Sequence, residues 1–244
     1  MNVLISNDDG INSPSIRALA DRMSKNHKVL MVAPADNRSA TAHSLTIGKP
    51  IKVLKDDKTT KYEAYSISGS PADCAKIASL MFSNFKADVV LAGVNTEHNI
   101  GSDTLYSGTV AICYESAYCG RIGFAFSAYH YQEKYVEEYA RLTEEVLNKI
   151  YPLSKKGDIW NVNFPNLEKG EPKGIKITAL GKHIYSDHYE KIGDNEYKLV
   201  GDLIDHNDNI DDCDVNLIKL GYITVTPMLF NRTDYTRIKQ INKA

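Results

Sequence analysis

The sequence predicts an α/β fold with a mostly parallel sheet, and three observations carry that expectation. Short, nearly all-apolar runs alternate with stretches of helical period from the start of the chain to Ile150, the rhythm of repeated strand–helix–strand units. The apolar runs lack the alternation of half-exposed strands, as expected where both faces of a sheet are covered. Several of them end in polar, turn-forming residues.

Taken in order, residues 3–6 form a first strand that runs into Asn7-Asp8-Asp9-Gly10. Ile16, Leu19, Ala20 and Met23 recur at i, i+3, i+4 and i+7, one stripe of a helix whose first turn suits Pro14. Residues 28–33 are a second buried strand, stopped by Pro34. Ser70-Pro71 starts a helix with Cys74, Ile77, Ala78 and Met81 along one face. Residues 88–92 are a third apolar strand, leading into Gly93-Val94-Asn95. Ser107-Gly108-Thr109 opens an apolar helix that ends near Gly120, and residues 122–127 are another strand. Val136, Tyr139, Ala140, Val146, Leu147 and Ile150 mark the helix after it. Together these make a Rossmann-like, three-layer α/β/α core over residues 1–170.

Beyond Gly170 the rhythm changes. Residues 175–180, 185–189 and 196–200 are short strand-like pieces with polar alternation, separated by Gly and Asp/Asn turns. They are read as a β-hairpin excursion over 175–205. A long acidic loop (202–214), a short helix and a strand at 222–226 return the chain to the core over 206–229. Residues 230–244 form a C-terminal arm whose Phe230, Tyr235 and Ile238 are too apolar to be idle. Excursion and arm are candidate subunit contacts on a single domain of 244 residues.

Composition narrows the function. The chain is 43% hydrophobic and 25% charged, ordinary for a globular protein. With 29 basic against 31 acidic residues the net charge is −2, which supplies no field for gripping a long nucleic acid. Nothing approaches the ~20 apolar residues of a membrane span, and the N-terminus lacks the basic and apolar regions of a signal peptide. The four cysteines contain no CxxC pair and read as reduced, buried thiols. A cytoplasmic location is expected.

Ligands of open parallel sheets bind beyond the carboxyl ends of the strands, and three loops at such positions are unusually polar. They are 7–10, 34–39 (with Asp36, Asn37, Arg38 and Ser39) and 93–103 (with Asn95, Asn99 and Asp103). Adjacent carboxylates repel, and a divalent cation between Asp8 and Asp9 removes that penalty. Together with the amide oxygen of Asn95 and the hydroxyl of Ser39 the donors are all oxygen, favouring Mg²⁺, Mn²⁺ or Ca²⁺ over zinc. So few protein ligands leave positions open for water and a phosphate oxygen. Asp and Asn after a strand also serve simply as turn or cap residues, and both readings stand at this level. Ser107-Gly108-Thr109, at a helix N-terminus, is an anion site or an ordinary N-cap. No GxGxxG or GxxxxGK[ST] segment is present.

These segments, in their order, resemble the survival protein SurE family of 5'/3'-nucleotidases. The matching blocks are NDDG (7–10), APADNRSATAHSLT (33–46), GSPADC (69–74), GVN with NIGSDTLYSGTV (93–110), NVNFP (161–165), DDCDV (211–215) and GYITVTP (221–227). The resemblance spans nearly the whole chain. It implies metal-dependent hydrolysis of nucleoside 5'- and 3'-monophosphates, with one divalent cation per subunit (Mg²⁺ or Mn²⁺, Ca²⁺ also admissible) held by Asp8, Asp9, Ser39 and Asn95. Asn99, Ser107, Gly108 and Thr109 would line the phosphate pocket, with Asp8, Asp9, Asn99 and Ser107 in catalysis. His43, in a well-matched stretch, is a candidate in or beside that pocket. The family forms dimers or tetramers with a protruding hairpin and a swapped C-terminal arm. One departure is Glu97, where the family usually has Gly. Glu97 supports an alternative in which the protein senses nucleotide and metal with little or no turnover.

Overall fold

The computed structural model describes residues 1–205 and 211–243. Its first half contains β1 (Asn2–Ser6), α1 (Pro14–Met23), β2 (Lys28–Pro34), β3 (Val53–Lys55), β4 (Glu63–Ile67), α2 (Pro71–Met81) and β5 (Val89–Asn95). A 3₁₀ turn (Gly101–Leu105) precedes α3 (Gly108–Tyr118), followed by β6 (Ile122–Ala128), α4 (Val136–Ile150) and β7 (Ile159–Phe164). After β8 (Ile175–Ile177) come β9 (His183–Tyr185), β10 (His188–Gly193), β11 (Glu196–Val200) and β12 (Leu203–Asp205). The chain closes with α5 (Asp214–Lys219), β13 (Ile223–Met228) and α6 (Tyr235–Ile241).

Nine strands form the main sheet in the order β3-β4-β2-β1-β5-β6-β7-β13-β8. From β4 to β7 every neighbouring pair is parallel; β3 on β4 and β13 on β7 are antiparallel. The chain winds outward from β1 through β2 to β4, then restarts at β5 and winds the other way through β6 to β7. The order therefore reverses between β1 and β5, and a crevice forms at the carboxyl ends of strands flanking such a switch point.

Alternate residues of the central strands face two separate cores, which is why these strands read as unbroken apolar runs. On one face Val3, Ile5 and Met31 pack with Ile16, Leu19 and Met23 of α1 and Tyr139, Val146 and Leu147 of α4. On the other, Leu4, Leu30 and Val90 pack with Cys74 and Ala78 of α2 and Val110 and Ile112 of α3. The three-layer α/β/α expectation holds. Ser70 caps α2 through a reciprocal pair: its hydroxyl accepts from Asp73 N–H, and the Asp73 carboxylate accepts from Ser70 N–H. Helix α3 is buried from Gly108 to Ser116, so it is apolar on all sides rather than striped.

Two strands at one edge, β3 and β4, escape the sequence pattern because Lys, Glu and Tyr interrupt them. Strand β8 pairs in parallel with β13 as part of the main sheet, so residues 175–177 do not belong to the excursion expected over 175–205. That excursion is built of β9 with β12 and β10 with β11, both antiparallel. The side chains of β10 and β11 are almost all exposed, including Tyr189, Ile192, Tyr197 and Leu199. Part of the expected acidic loop, 206–210, lies outside the described residues.

All four cysteines are free, and three are buried while Cys119 is half-buried. Burial pushes the Cys74 and Cys113 thiols well above the ordinary range, which makes them packing residues rather than nucleophiles. Among the described residues no helix is long and apolar enough to cross a membrane.

Candidate functional site

Asp8 and Asp9 leave the end of β1 and Asn95 ends β5, so the acids and the amide flank the switch point of the sheet. The turn that presents the acids is clasped by Asn7, whose Nδ2 donates to Gly10 C=O (3.0 Å) and whose Oδ1 accepts from Gly10 N–H (3.2 Å). Strand β5 reaches its last residue through an irregularity between Ala92 and Asn95 in its pairing with β6. Gly93 makes this possible: its φ is +117°, and a Cβ there would fall 2.2 Å from Phe126 C=O.

Asp8 is only 3% exposed. Its carboxylate accepts the Thr109 hydroxyl and sits against the start of α3. A Cβ on Gly108 would stand 2.9 Å from Asp8 Oδ2 and 2.9 Å from Asp8 Cβ, so only glycine lets this helix approach the acid. Burial pushes the Asp8 carboxyl up to about 6; the Thr109 hydroxyl and backbone oppose that, and the Asp9 charge adds to it. Asp9 is half-buried and accepts from the Thr96 N–H (3.3 Å), the Thr96 hydroxyl (3.2 Å) and Asn37 Nδ2 (3.4 Å). Its carboxyl is also raised, by burial first and by the Glu97 charge in part. Among the described residues no Lys or Arg forms an ion pair with either acid. Two crowded carboxylates of raised pKa without a cationic side chain are what a bound cation would relieve.

The remaining donors fall into place less uniformly. Asn95 is 6% exposed and its Nδ2 donates to Glu97 C=O (2.6 Å), which leaves Oδ1 as its acceptor. Ser39 is exposed, and its N–H (2.9 Å) and hydroxyl (2.8 Å) both donate to Asn37 Oδ1. It reaches the acids through Asn37, although Arg38 N–H on the same loop is tied to Asp8 C=O at 2.7 Å. The donors at hand are oxygens, and such a set fits a hard divalent cation.

Ser107 caps α3, its hydroxyl accepting from Val110 N–H at 3.0 Å. Thr109 turns both its hydroxyl and its backbone toward Asp8. The first anion stabilised by this N-terminus is thus the protein's own carboxylate. Asn99 is buried, its Nδ2 donating to Ser127 Oγ at 2.7 Å. Asn163 Oδ1 accepts from Asn99 N–H (2.8 Å), while Asn161 and Asn163 donate to Asn99 C=O (2.7 and 3.1 Å). The two asparagines are two apart on β7 and so share one side of the strand. His43 is held elsewhere: its Nε2 is 3.1 Å from Glu115 Oε2. Glu115 lies eight residues along α3 from Ser107, about 12 Å of helix rise, and also pairs with Lys76 at 2.6 Å.

Several residues around the site received no role from the sequence, although Asn7, Asn37, Asn161, Asn163 and Asp214 lie within the matched blocks. Asn7, Asn37 and Thr96 are ordinary loop residues until the fold brings them to the acids. Asn161 and Asn163 could have been noticed as two polar residues in a buried strand. Asp214 is the most consequential. It is fully buried, accepting Gly101 N–H (2.9 Å), Gly181 N–H (2.7 Å) and Val215 N–H (2.9 Å). It thereby ties the 3₁₀ turn after Asn99 to the segment leading into β9. A cavity of about 680 Å³ opens near the start of β2, lined by His27, Lys28, Tyr62 and Phe85 among others. It includes none of Asp8, Asp9, Asn95, Asn99 or Ser107 and lies at the opposite ends of the strands.

With this geometry in view, comparison with known proteins is specific. The family described as Survival protein SurE matches residues 3–187. A 5'-nucleotidase SurE of Clostridium botulinum (strain ATCC 19397 / Type A) is 38% identical, the match covering 98% of this chain and 97% of that protein. A 5'-nucleotidase SurE of Petrotoga mobilis (strain DSM 10674 / SJ95) is 36% identical over 99% of this chain and 98% of its own. Among solved structures, the crystal structure of the SurE protein from Aquifex aeolicus superimposes with a TM-score of 0.82 at 32% identity, covering 99% of this chain and 98% of that one.

Proposed function

The chain belongs to the survival protein SurE family, and from that premise we propose that it hydrolyses nucleoside 5'- and 3'-monophosphates to nucleoside and phosphate. The observation that carries the reading is the close approach of the α3 N-terminus to the buried carboxylate of Asp8, with Asp9 and Asn95 beside it. An anion-stabilising helix end and a cation-demanding acid pair occupy one crevice. Asp8, Asp9 and Asn95 would hold one divalent cation, Mg²⁺ or Mn²⁺, with Ser39 on the adjoining loop completing the oxygen set. When bound, the cation supplies charge neutralisation and Lewis-acid polarisation at the phosphate.

The chain's own groups do the positioning. Thr109 keeps Asp8 ionised and oriented, and Thr96 with Asn37 does the same for Asp9. Asn99, clamped by Ser127, Asn161 and Asn163, offers its amide to a phosphate oxygen alongside Ser107 and Gly108. Phosphoryl transfer depends mainly on such placement and charge stabilisation. His43, committed to Glu115 farther along α3, is left out of the phosphate contacts. The free cysteines suit a reducing cytoplasm. The reading is tested by phosphate release from 5'-AMP and 3'-AMP by purified protein with Mn²⁺ or Mg²⁺. Tight nucleotide binding with no release of phosphate would establish the sensor alternative instead.

Glu97 supplies a finer test. It is exposed, its charge is felt at Asp9, and its φ is not positive. The backbone at 97 therefore makes no demand for glycine, and charge is the remaining difference from the family pattern. Glu97→Gly and Glu97→Gln should each raise kcat/KM for nucleoside monophosphates, by about tenfold at low ionic strength. A gain in Gly alone would shift the cause to loop geometry, and a large loss in both would make Glu97 a working ligand or base.

The C-terminal arm is proposed as a subunit contact in a dimer or tetramer. Phe230 lies against Tyr114 (6.3 Å between centroids) and Tyr118 (6.2 Å), and Arg232 sits 5.0 Å from the Tyr114 ring. Beyond them α6 buries no residue and exposes Tyr235, Ile238 and Ile241. Deleting residues 231–244 should lower the oligomeric mass in light scattering while the thermal transition of the core persists. An unchanged mass would remove the arm from the interface.

A further inference from the structure

A second donor set stands near the site, and it contains nitrogen. His98 follows β5, Asp103 lies in the 3₁₀ turn, and His183 begins β9. One ligand atom from each falls within 4.8 Å of the others. His183 Nδ1 is 2.6 Å from Asp103 Oδ2, and His98 Nε2 is 3.9 Å from the same oxygen. The two imidazoles meet edge to face at 5.2 Å.

Part of this cluster has a plain explanation. His183 and Asp103 form a hydrogen bond, with the Tyr185 hydroxyl 3.2 Å from the nitrogen and 3.4 Å from the oxygen. His98 is not explained that way, because 3.9 Å is beyond a hydrogen bond. Its side chain is nevertheless only 23% exposed and packs on Tyr129 at 5.0 Å.

We propose that His98, Asp103 and His183 form a second cation site, selective for a borderline transition metal of the zinc class and separate from the all-oxygen site at Asp8 and Asp9. Two imidazoles and one carboxylate are a three-ligand set that leaves a coordination position open. Mixed nitrogen and oxygen donors favour such ions over Mg²⁺ or Ca²⁺. With bonds near 2.0–2.1 Å, neighbouring ligand atoms of a tetrahedral ion stand ~3.3 Å apart. That spacing lies between the two separations seen here, so small side-chain rotations reach it. The ion takes the place of the proton between His183 and Asp103. It thereby fastens the turn that follows Asn99 to the foot of the hairpin.

The test uses tag-free, chelator-treated full-length protein carrying Asp8→Asn, so that the oxygen site is disabled and failure of the nucleotidase reading leaves this one standing. Zn²⁺ titration calorimetry should show about one equivalent bound, Co²⁺ should give the intense d–d absorption of tetrahedral coordination, and Zn²⁺ should raise the melting temperature. His98→Gln and His183→Gln on this background should each weaken Zn²⁺ binding at least about tenfold and abolish the thermal shift. His188→Gln, at an exposed histidine outside the cluster, should change neither. The proposal is overturned if the Asp8→Asn protein takes up no Zn²⁺, or if uptake survives either cluster substitution.

Discussion

Asp8→Asn should abolish cation-dependent phosphate release while making the cation-free protein more stable. Losing the cation removes several kcal/mol of charge stabilisation from the transition state, so kcat/KM should fall by roughly a thousandfold or more. The stability gain follows from the acid's environment. Burial pushes its carboxyl up to about 6 in the fold, against an ordinary 3.8. A raised folded pKa means stability that is fully present below 3.8 and is lost as pH rises through about 6. Across that window the cation-free wild type should lose about 3 kcal/mol, and Asp9, raised in the same direction, adds to the trend. Asn carries no charge to desolvate, keeps an oxygen for the Thr109 hydroxyl, and should flatten the profile. Denaturant melts of both proteins in chelator between pH 4 and pH 8 read this directly. Equal pH slopes, or turnover near wild type at limiting Mn²⁺, would remove Asp8 from the proposed cation site.

Asp214→Ala should be strongly destabilising although the residue is not proposed to touch substrate. Its two oxygens accept three backbone N–H groups, from Gly101, Gly181 and Val215, and each buried donor left unpaired costs about 1–3 kcal/mol. Burial raises the Asp214 carboxyl, so removing the charge recovers part of that loss. A net cost of about 3 kcal/mol is expected, or a Tm lower by roughly 10 °C for a chain of this size. Activity should fall as well, because the Gly101 turn carries the backbone that follows Asn99. Asp214→Asn keeps one accepting oxygen and should cost about half as much. If alanine melts like wild type, the tether between the 3₁₀ turn and the Gly181 segment does not hold the site together.

How far this molecule could be read from its sequence depended on whether the signal was local. Apolar runs marked β1, β2, β5 and β6 because strands covered on both faces must be apolar throughout. Three- and four-residue spacing marked α1 and α4 because one stripe of each meets the sheet. Edge strand β3 and its neighbour β4 stayed hidden, since a strand with one neighbour or one solvent face tolerates Lys, Glu and Tyr. Strand β8 was assigned to the excursion for a related reason: three residues cannot show a period, and only pairing with β13 defines them.

The site divides along the same line. Asp8, Asp9, Asn95, Asn99 and Ser107–Thr109 stood out as candidates because strand ends and helix starts are where a parallel sheet gathers its ligands, and because the family motifs run through them. What each touches was decided by contacts across the chain. Thr109, expected at phosphate, spends its hydroxyl on Asp8, and Gly108 is glycine because a Cβ would meet that carboxylate. His43 is bound to Glu115, while His98 and His183, 85 residues apart, converge on Asp103. By itself the sequence determined the layered core, the family and the loops that carry the acids, since burial period and turn chemistry act over a few residues. Which donors meet was decided only by the tertiary structure. Hydrogen bonds and charge pairs depend on ångström distances that sheet order and loop packing impose on residues remote in the chain.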